Sequence, residues 1–100
     1  MKMVTADELQ QKMESGEKLN IIDVREDDEV AAGMIPGAQH IVLGELPERT
    51  GELDSSKEYY VVCHAGGRSA KACEHLASNG FNPINVEGGM SSWRGETVYG

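Results

Sequence analysis

Short β-branched runs alternate with helical segments along this chain, and that alternation restricts it to a sheet whose strands are joined by helical crossovers. The strand candidates are Leu19 to Val24, His40 to Leu43, Tyr59 to Cys63 and Pro83 to Val86. Between them lie helical signals. Thr5 followed three residues later by Glu8 forms a capping box, and Ala6, Leu9 and Met13 then repeat at helical spacing before Gly16. Glu26-Asp27-Asp28-Glu29 leads into Val30, Ala31 and Ala32 and stops at Gly33, a short helix whose acidic first turn suits the positive end of its dipole. From Gly67 to Gly80 the pattern is helical again, with Ala70, Cys73, Leu76 and Ala77 on one stripe. Gly88-Gly89-Met90 to Trp93 is expected to form a final turn or helix. Runs apolar on both faces, separated by helices, predict an α/β fold with a mainly parallel sheet and helices on both faces.

The 100 residues, 39% hydrophobic and without a Pro, Ser or Gly-rich linker, are expected to form one domain spanning 1–100. A formal charge of −8 excludes nucleic acid as an expected partner, since a phosphate backbone would be repelled over its whole length. The start of the chain turns polar and acidic at once, and no run of eighteen apolar residues occurs, so a cytoplasmic location without membrane contact is expected. In such a compartment Cys63 and Cys73 are thiols. A monomer is the default for so short a chain.

The chemistry concentrates in Val61-Val62-Cys63-His64-Ala65-Gly66-Gly67-Arg68-Ser69, where a buried strand meets a helix through two glycines. Ligands of parallel α/β sheets bind outside the carboxyl ends of strands, and Cys63 stands at such an end. Gly66 and Gly67 are expected to let successive N–H groups curl toward one spot as an anion cradle. A thiol facing those donors, a helix N-terminus and Arg68 has its thiolate stabilised below the ordinary pKa of about 8.5.

Cys63-His64-Ala65-Gly66-Gly67-Arg68-Ser69 resembles the active-site loop of rhodanese domains. Three further motifs lie in that family's order: Asp23-Val24-Arg25, then Gly33-Met34-Ile35-Pro36-Gly37-Ala38, then Gly88-Gly89-Met90 with Trp93. The resemblance implies a five-stranded rhodanese-like domain and a two-step sulfurtransferase needing no cofactor. Cys63 would take the outer sulfur of thiosulfate or a persulfide and hold it as a persulfide. Cyanide, a thiol or a protein partner would then remove it. Arg68 is the loop's one firm positive charge, whereas thiosulfate-preferring members tend to have more, so a protein or thiol persulfide is an equally expected donor. Four residues separate Cys63 from Arg68, against five in the loops of related phosphatases and arsenate reductases, and the shorter loop fits a single sulfur.

The surrounding residues have plainer readings beside these. Cys73 is expected in the core. Of His64, a supply of positive charge or a role as base is expected less than a side chain pointing elsewhere. Arg68 either binds an anion, the preferred reading, or starts the helix paired to a carboxylate, and Ser69 either caps that helix or donates to the anion. Asp23 and Arg25 are expected to form an ion pair or hydrogen-bond network that supports the loop. No metal is expected, because residues 73 and 75, which would have to join Cys63 and His64, lie about 200° apart around a helix. A protein-dedicated sulfur carrier and a binding module without chemistry are the alternatives from other classes.

Overall fold

In the computed structural model, which describes residues 1–99, five strands form one sheet in the order β1-β5-β4-β2-β3, every neighbouring pair parallel. They are β1 (Lys2–Thr5), β2 (Ile21–Asp23), β3 (Gln39–His40), β4 (Glu58–Val62) and β5 (Asn82–Glu87). The helices are α1 (Ala6–Glu14), α2 (Asp27–Ala31), α3 (Leu46–Arg49) and α4 (Gly67–Ser78), and a 3-10 turn spans Gly89–Ser92.

The period of two along each strand divides the apolar residues between two layers. Ile22, Val24, Tyr59 and Val61 face Leu46 of α3 and Ala72, Cys73 and Leu76 of α4. Ile21, Tyr60, Val62, Ile84 and Val86 face Ala6 and Leu9 of α1, with Met90 and Trp93 packed against that second layer. Cys63, next in phase after Val61, therefore points to the α4 side. The capping box at Thr5 and Glu8 is present, with mutual hydrogen bonds of 3.0 and 2.9 Å.

Three elements differ from expectation. β1 gives no strand signal in the sequence: it lies at the edge of the sheet, only Val4 is partly buried, and its conformation comes from pairing with β5. The strand expected from His40 to Leu43 is Gln39–His40, after which Ile41 and Leu43 each donate one hydrogen bond to β2 and its exit before the chain turns helical at Leu43. On α4 the buried stripe is Ser69, Ala72, Cys73 and Leu76, and Ala77 is exposed.

Candidate active site

β4 delivers Cys63 to the carboxyl edge of the sheet, between its neighbours β5 and β2. Its side chain is only 1% exposed. Gly66 adopts φ +111°, left-handed backbone open to glycine, and folds the loop back so that its N–H donates to Cys63 Sγ at 3.0 Å. Of the two loop glycines, only Gly66 needs this freedom. Gly67 begins α4 without a positive φ, and a Cβ there would meet nothing within 4 Å.

The thiol donates to Ser69 Oγ at 3.4 Å. Ser69 is not the helix cap, a place taken by Gly66. Its fully buried hydroxyl instead lies within reach of Asn85 Oδ1 and of the Gly66 carbonyl at 3.1 Å, and Asn85 Nδ2 donates to that same carbonyl at 3.4 Å. Having one proton, the hydroxyl can accept from the thiol while donating to Asn85, or turn to donate to a thiolate.

Burial by itself pushes the Cys63 thiol up. The Ser69 hydroxyl and the backbone N–H groups of Ser69, Gly66 and Ala65 act against it, and the net result lies below the ordinary thiol value. Cys73 has no such donors: buried and near Cys63, it is pushed up to about 12. The two buried thiols thus differ in their surroundings, one facing hydrogen-bond donors and the other not. Replacing Ser69 with Ala removes a hydrogen bond to the charged form, worth about 1.5–3 kcal/mol. The expected result is about a tenfold slower reaction of Cys63 with iodoacetamide at neutral pH. Because a depressed thiol pKa keeps reactivity down to lower pH, the inflection of the pH–rate curve should move upward in Ser69→Ala.

The side chains of the remaining loop residues lie apart from Sγ in their contacts. His64 and Ala65 are exposed. The carbonyls of Cys63 and His64 accept hydrogen bonds, both 2.8 Å, from the N–H groups of Met90 and Ser91. The 3-10 turn thus clamps the start of the loop, and at Gly89, with φ +51°, a Cβ would run into the Cys63 carbonyl oxygen. Arg68 pairs with a carboxylate: its two terminal nitrogens donate to the two oxygens of Glu29 at 2.6 and 2.8 Å. That guanidinium holds the Glu29 carboxyl at about 2, despite an opposing effect of burial.

Asp23 and Arg25 form a buried ion pair at 2.9 Å. Arg25 also donates to the Gly33 carbonyl at 2.7 Å, which fixes the end of the α2 segment against β2. α2 also carries Glu29, the residue that pairs with Arg68 of the loop. Among the described residues, no group of three or more His, Cys, Asp or Glu side chains is arranged to hold a metal ion. No helix among them is long and apolar enough to cross a membrane.

Glu29, Asn85 and the clamping turn are the parts of the site that residue types left unassigned. Glu29 sits in a run that looks like a solvated helix start, and its partner is 39 residues away. Asn85 did carry a readable signal, being an amide between Ile84 and Val86 in a buried strand, where a polar group needs a partner.

A parallel five-stranded sheet with a cysteine at the end of its central strand, wrapped by a tight loop running into a helix, defines the class: an α/β domain built around a loop-held thiol. The chain matches the Rhodanese-like domain family over residues 5–96 and belongs to it. It is 50% identical over 97 residues to the Bacillus subtilis (strain 168) protein named "Putative sulfurtransferase YtwF", covering 97% of this chain and 94% of that one. It is 43% identical to "Putative sulfur carrier protein YrkF" of the same organism, over 94% of this chain but 51% of that protein's length. Among solved structures, a rhodanese-like domain protein from Staphylococcus aureus superposes with a TM-score of 0.94 at 40% identity, covering 100% of this chain and 99% of that one. The rhodanese-like sulfurtransferase family is thus the chain's family, with a fold matching the expected five strands and helices on both faces.

Proposed function

We propose that the protein moves sulfane sulfur through a persulfide on Cys63. The carrying observation is the thiol's surroundings: Sγ lies 3.0 Å from the Gly66 N–H and 3.4 Å from the Ser69 hydroxyl, at the start of α4. In the first step the Cys63 thiolate attacks the outer sulfur of the donor. The Sγ–S bond forms as the donor's S–S bond breaks, and its electron pair leaves with sulfite, if the donor is thiosulfate, or with a thiolate, if it is a persulfide. In the second step a thiophilic acceptor, cyanide or a thiol, takes the outer sulfur and returns Cys63 as a thiolate. No oxidant or reductant is needed. The same N–H donors stabilise the thiolate before the transfer and the persulfide anion after it.

The tight loop, with four residues between Cys63 and Arg68 and the Gly66 N–H on Sγ, favours this over phosphoryl transfer. A covalent intermediate predicts ping-pong kinetics. Initial rates with donor and acceptor both varied should give parallel double-reciprocal lines; intersecting lines would contradict a free persulfide enzyme.

A second reading, a carrier handing its sulfur to one protein partner, is favoured by the likeness to a protein named as a sulfur carrier. It predicts slow cyanide turnover beside fast transfer to that partner. Two unbridged thiols fit action in a reducing cytoplasm.

A further inference from the structure

The cation nearest the reactive loop is already engaged. Arg68 is the one Lys or Arg between Cys63 and Ser69, and both its terminal nitrogens are held by Glu29 in a two-pronged pair. Such pairing fixes the plane and position of a guanidinium. Glu29 Oε1 accepts in addition from the Glu26 N–H at 3.0 Å, so the carboxylate is held from its own helix as well. Arg25, the next cation, is likewise held by Asp23. The α2 flank therefore offers four carboxylates, Glu26, Asp27, Asp28 and Glu29, and the arginines beside it, Arg25 and Arg68 of α4, are both paired.

Donors differ in charge. Thiosulfate carries two negative charges, one of them on sulfonate oxygens away from the sulfur that Cys63 attacks, and those oxygens require a cation beyond the backbone donors. A thiol-borne persulfide carries at most one, placed on the sulfur that transfers, next to the Cys63 Sγ to which the Gly66 N–H donates. A chain of net charge −8 gives a dianion no long-range help.

From this geometry we infer that Glu29 is a specificity-determining residue: by occupying Arg68 it turns the site against thiosulfate and toward the persulfide of a thiol. The inference rests on the sulfur-transfer reading above. The electron count is that of the first step: the Cys63 thiolate displaces the donor thiolate from its outer sulfur, one S–S bond replacing another.

The test compares the loading of Cys63 by two probes, thiosulfate and cysteine persulfide, followed by intact mass as a function of donor concentration. The wild type should load faster from cysteine persulfide. Glu29→Gln, which keeps the shape and removes the charge, should raise the rate constant for thiosulfate by about tenfold, given charges a few ångströms apart near a protein surface. The gain should appear as half-saturation at lower thiosulfate, with loading from cysteine persulfide changed less than about twofold. The double variant E29Q/R68Q should lose the gain, which a purely structural effect of Glu29 would not require. If Glu29→Gln does not fold, Glu29→Asp, which shortens the reach to Arg68, should move thiosulfate loading in the same direction by less. An unchanged ratio of the two rates in every folded variant, or a wild type that takes thiosulfate as readily as persulfide, would overturn the inference and leave sulfur transfer standing. Failure of the wild type to load from either probe would defeat the sulfur-transfer reading itself.

Discussion

Cys63→Ser should lower sulfur transfer by about a thousandfold or more, because it removes the atom proposed to carry the transferred sulfur. Cys73→Ser should keep most of the activity. The two thiols share a layer of the core and are equally buried, so burial does not distinguish them. What does is the hydrogen-bond partners: Cys63 accepts from the Gly66 N–H and meets the Ser69 hydroxyl, whereas burial leaves Cys73 at about 12. Serine is close to cysteine in volume and the thiol's partners can bond a hydroxyl, so Cys63→Ser should fold. Transfer rates measured at matched concentrations of folded protein decide the matter. Comparable losses in the two variants would mean that the loop does not select its nucleophile.

Gly89→Ala should produce the largest loss of stability of any single methyl added to the site. A Cβ on Gly89 would collide with the Cys63 carbonyl oxygen and sit 2.8 Å from that of His64, at a φ of +51° that side chains seldom adopt. Neither neighbour can yield cheaply, because both are backbone and both carbonyls bond to the turn that Gly89 begins. Left-handed backbone in a residue other than glycine costs about 1–3 kcal/mol. With the collision added, a loss of about 3 kcal/mol or more is expected, a large part of the 5–15 kcal/mol typical of a domain. For a chain this small the midpoint of thermal unfolding should fall by about 12 °C or more. Gly67→Ala provides the contrast. Its Cβ would meet nothing within 4 Å and its φ is not positive, so the midpoint should hold or rise slightly. Calorimetry of the two variants beside the wild type tests the pair, and equal shifts would contradict the clamp.

Legibility in the sequence followed the range of the interactions. The Thr5–Glu8 capping box, α4 after Gly66-Gly67, and the apolar runs of β2, β4 and β5 are local patterns, and each appears close to its expected place. β1 was not legible because an exposed edge strand of four residues has no periodicity of its own; it exists through its register with β5, more than 75 residues along the chain. The brevity of β3 has the same origin, since only two of its residues find full pairing with β2.

In the site, Cys63 and its loop could be read from residue types because a strand, two glycines and a helix start form a local arrangement. The assignment of Arg68 could not be completed in that way. A guanidinium beside a loop suits an anion and a carboxylate alike, and only the placement of α2, whose trailing Gly33 carbonyl Arg25 holds, brings Glu29 to Arg68. Asn85 makes the opposite case. Its buried position was implied by Ile84 and Val86, but its partner, the hydroxyl that meets the thiol, depends on how α4 lies across β5.

The most direct test of the central claim is the intact mass of reduced wild-type protein after brief exposure to cysteine persulfide and removal of excess donor, with Cys63→Ser treated in parallel. The account predicts a gain of one sulfur atom in the wild type, lost again on addition of cyanide, and no gain in Cys63→Ser. An equal gain in both proteins, or none in either, would contradict it.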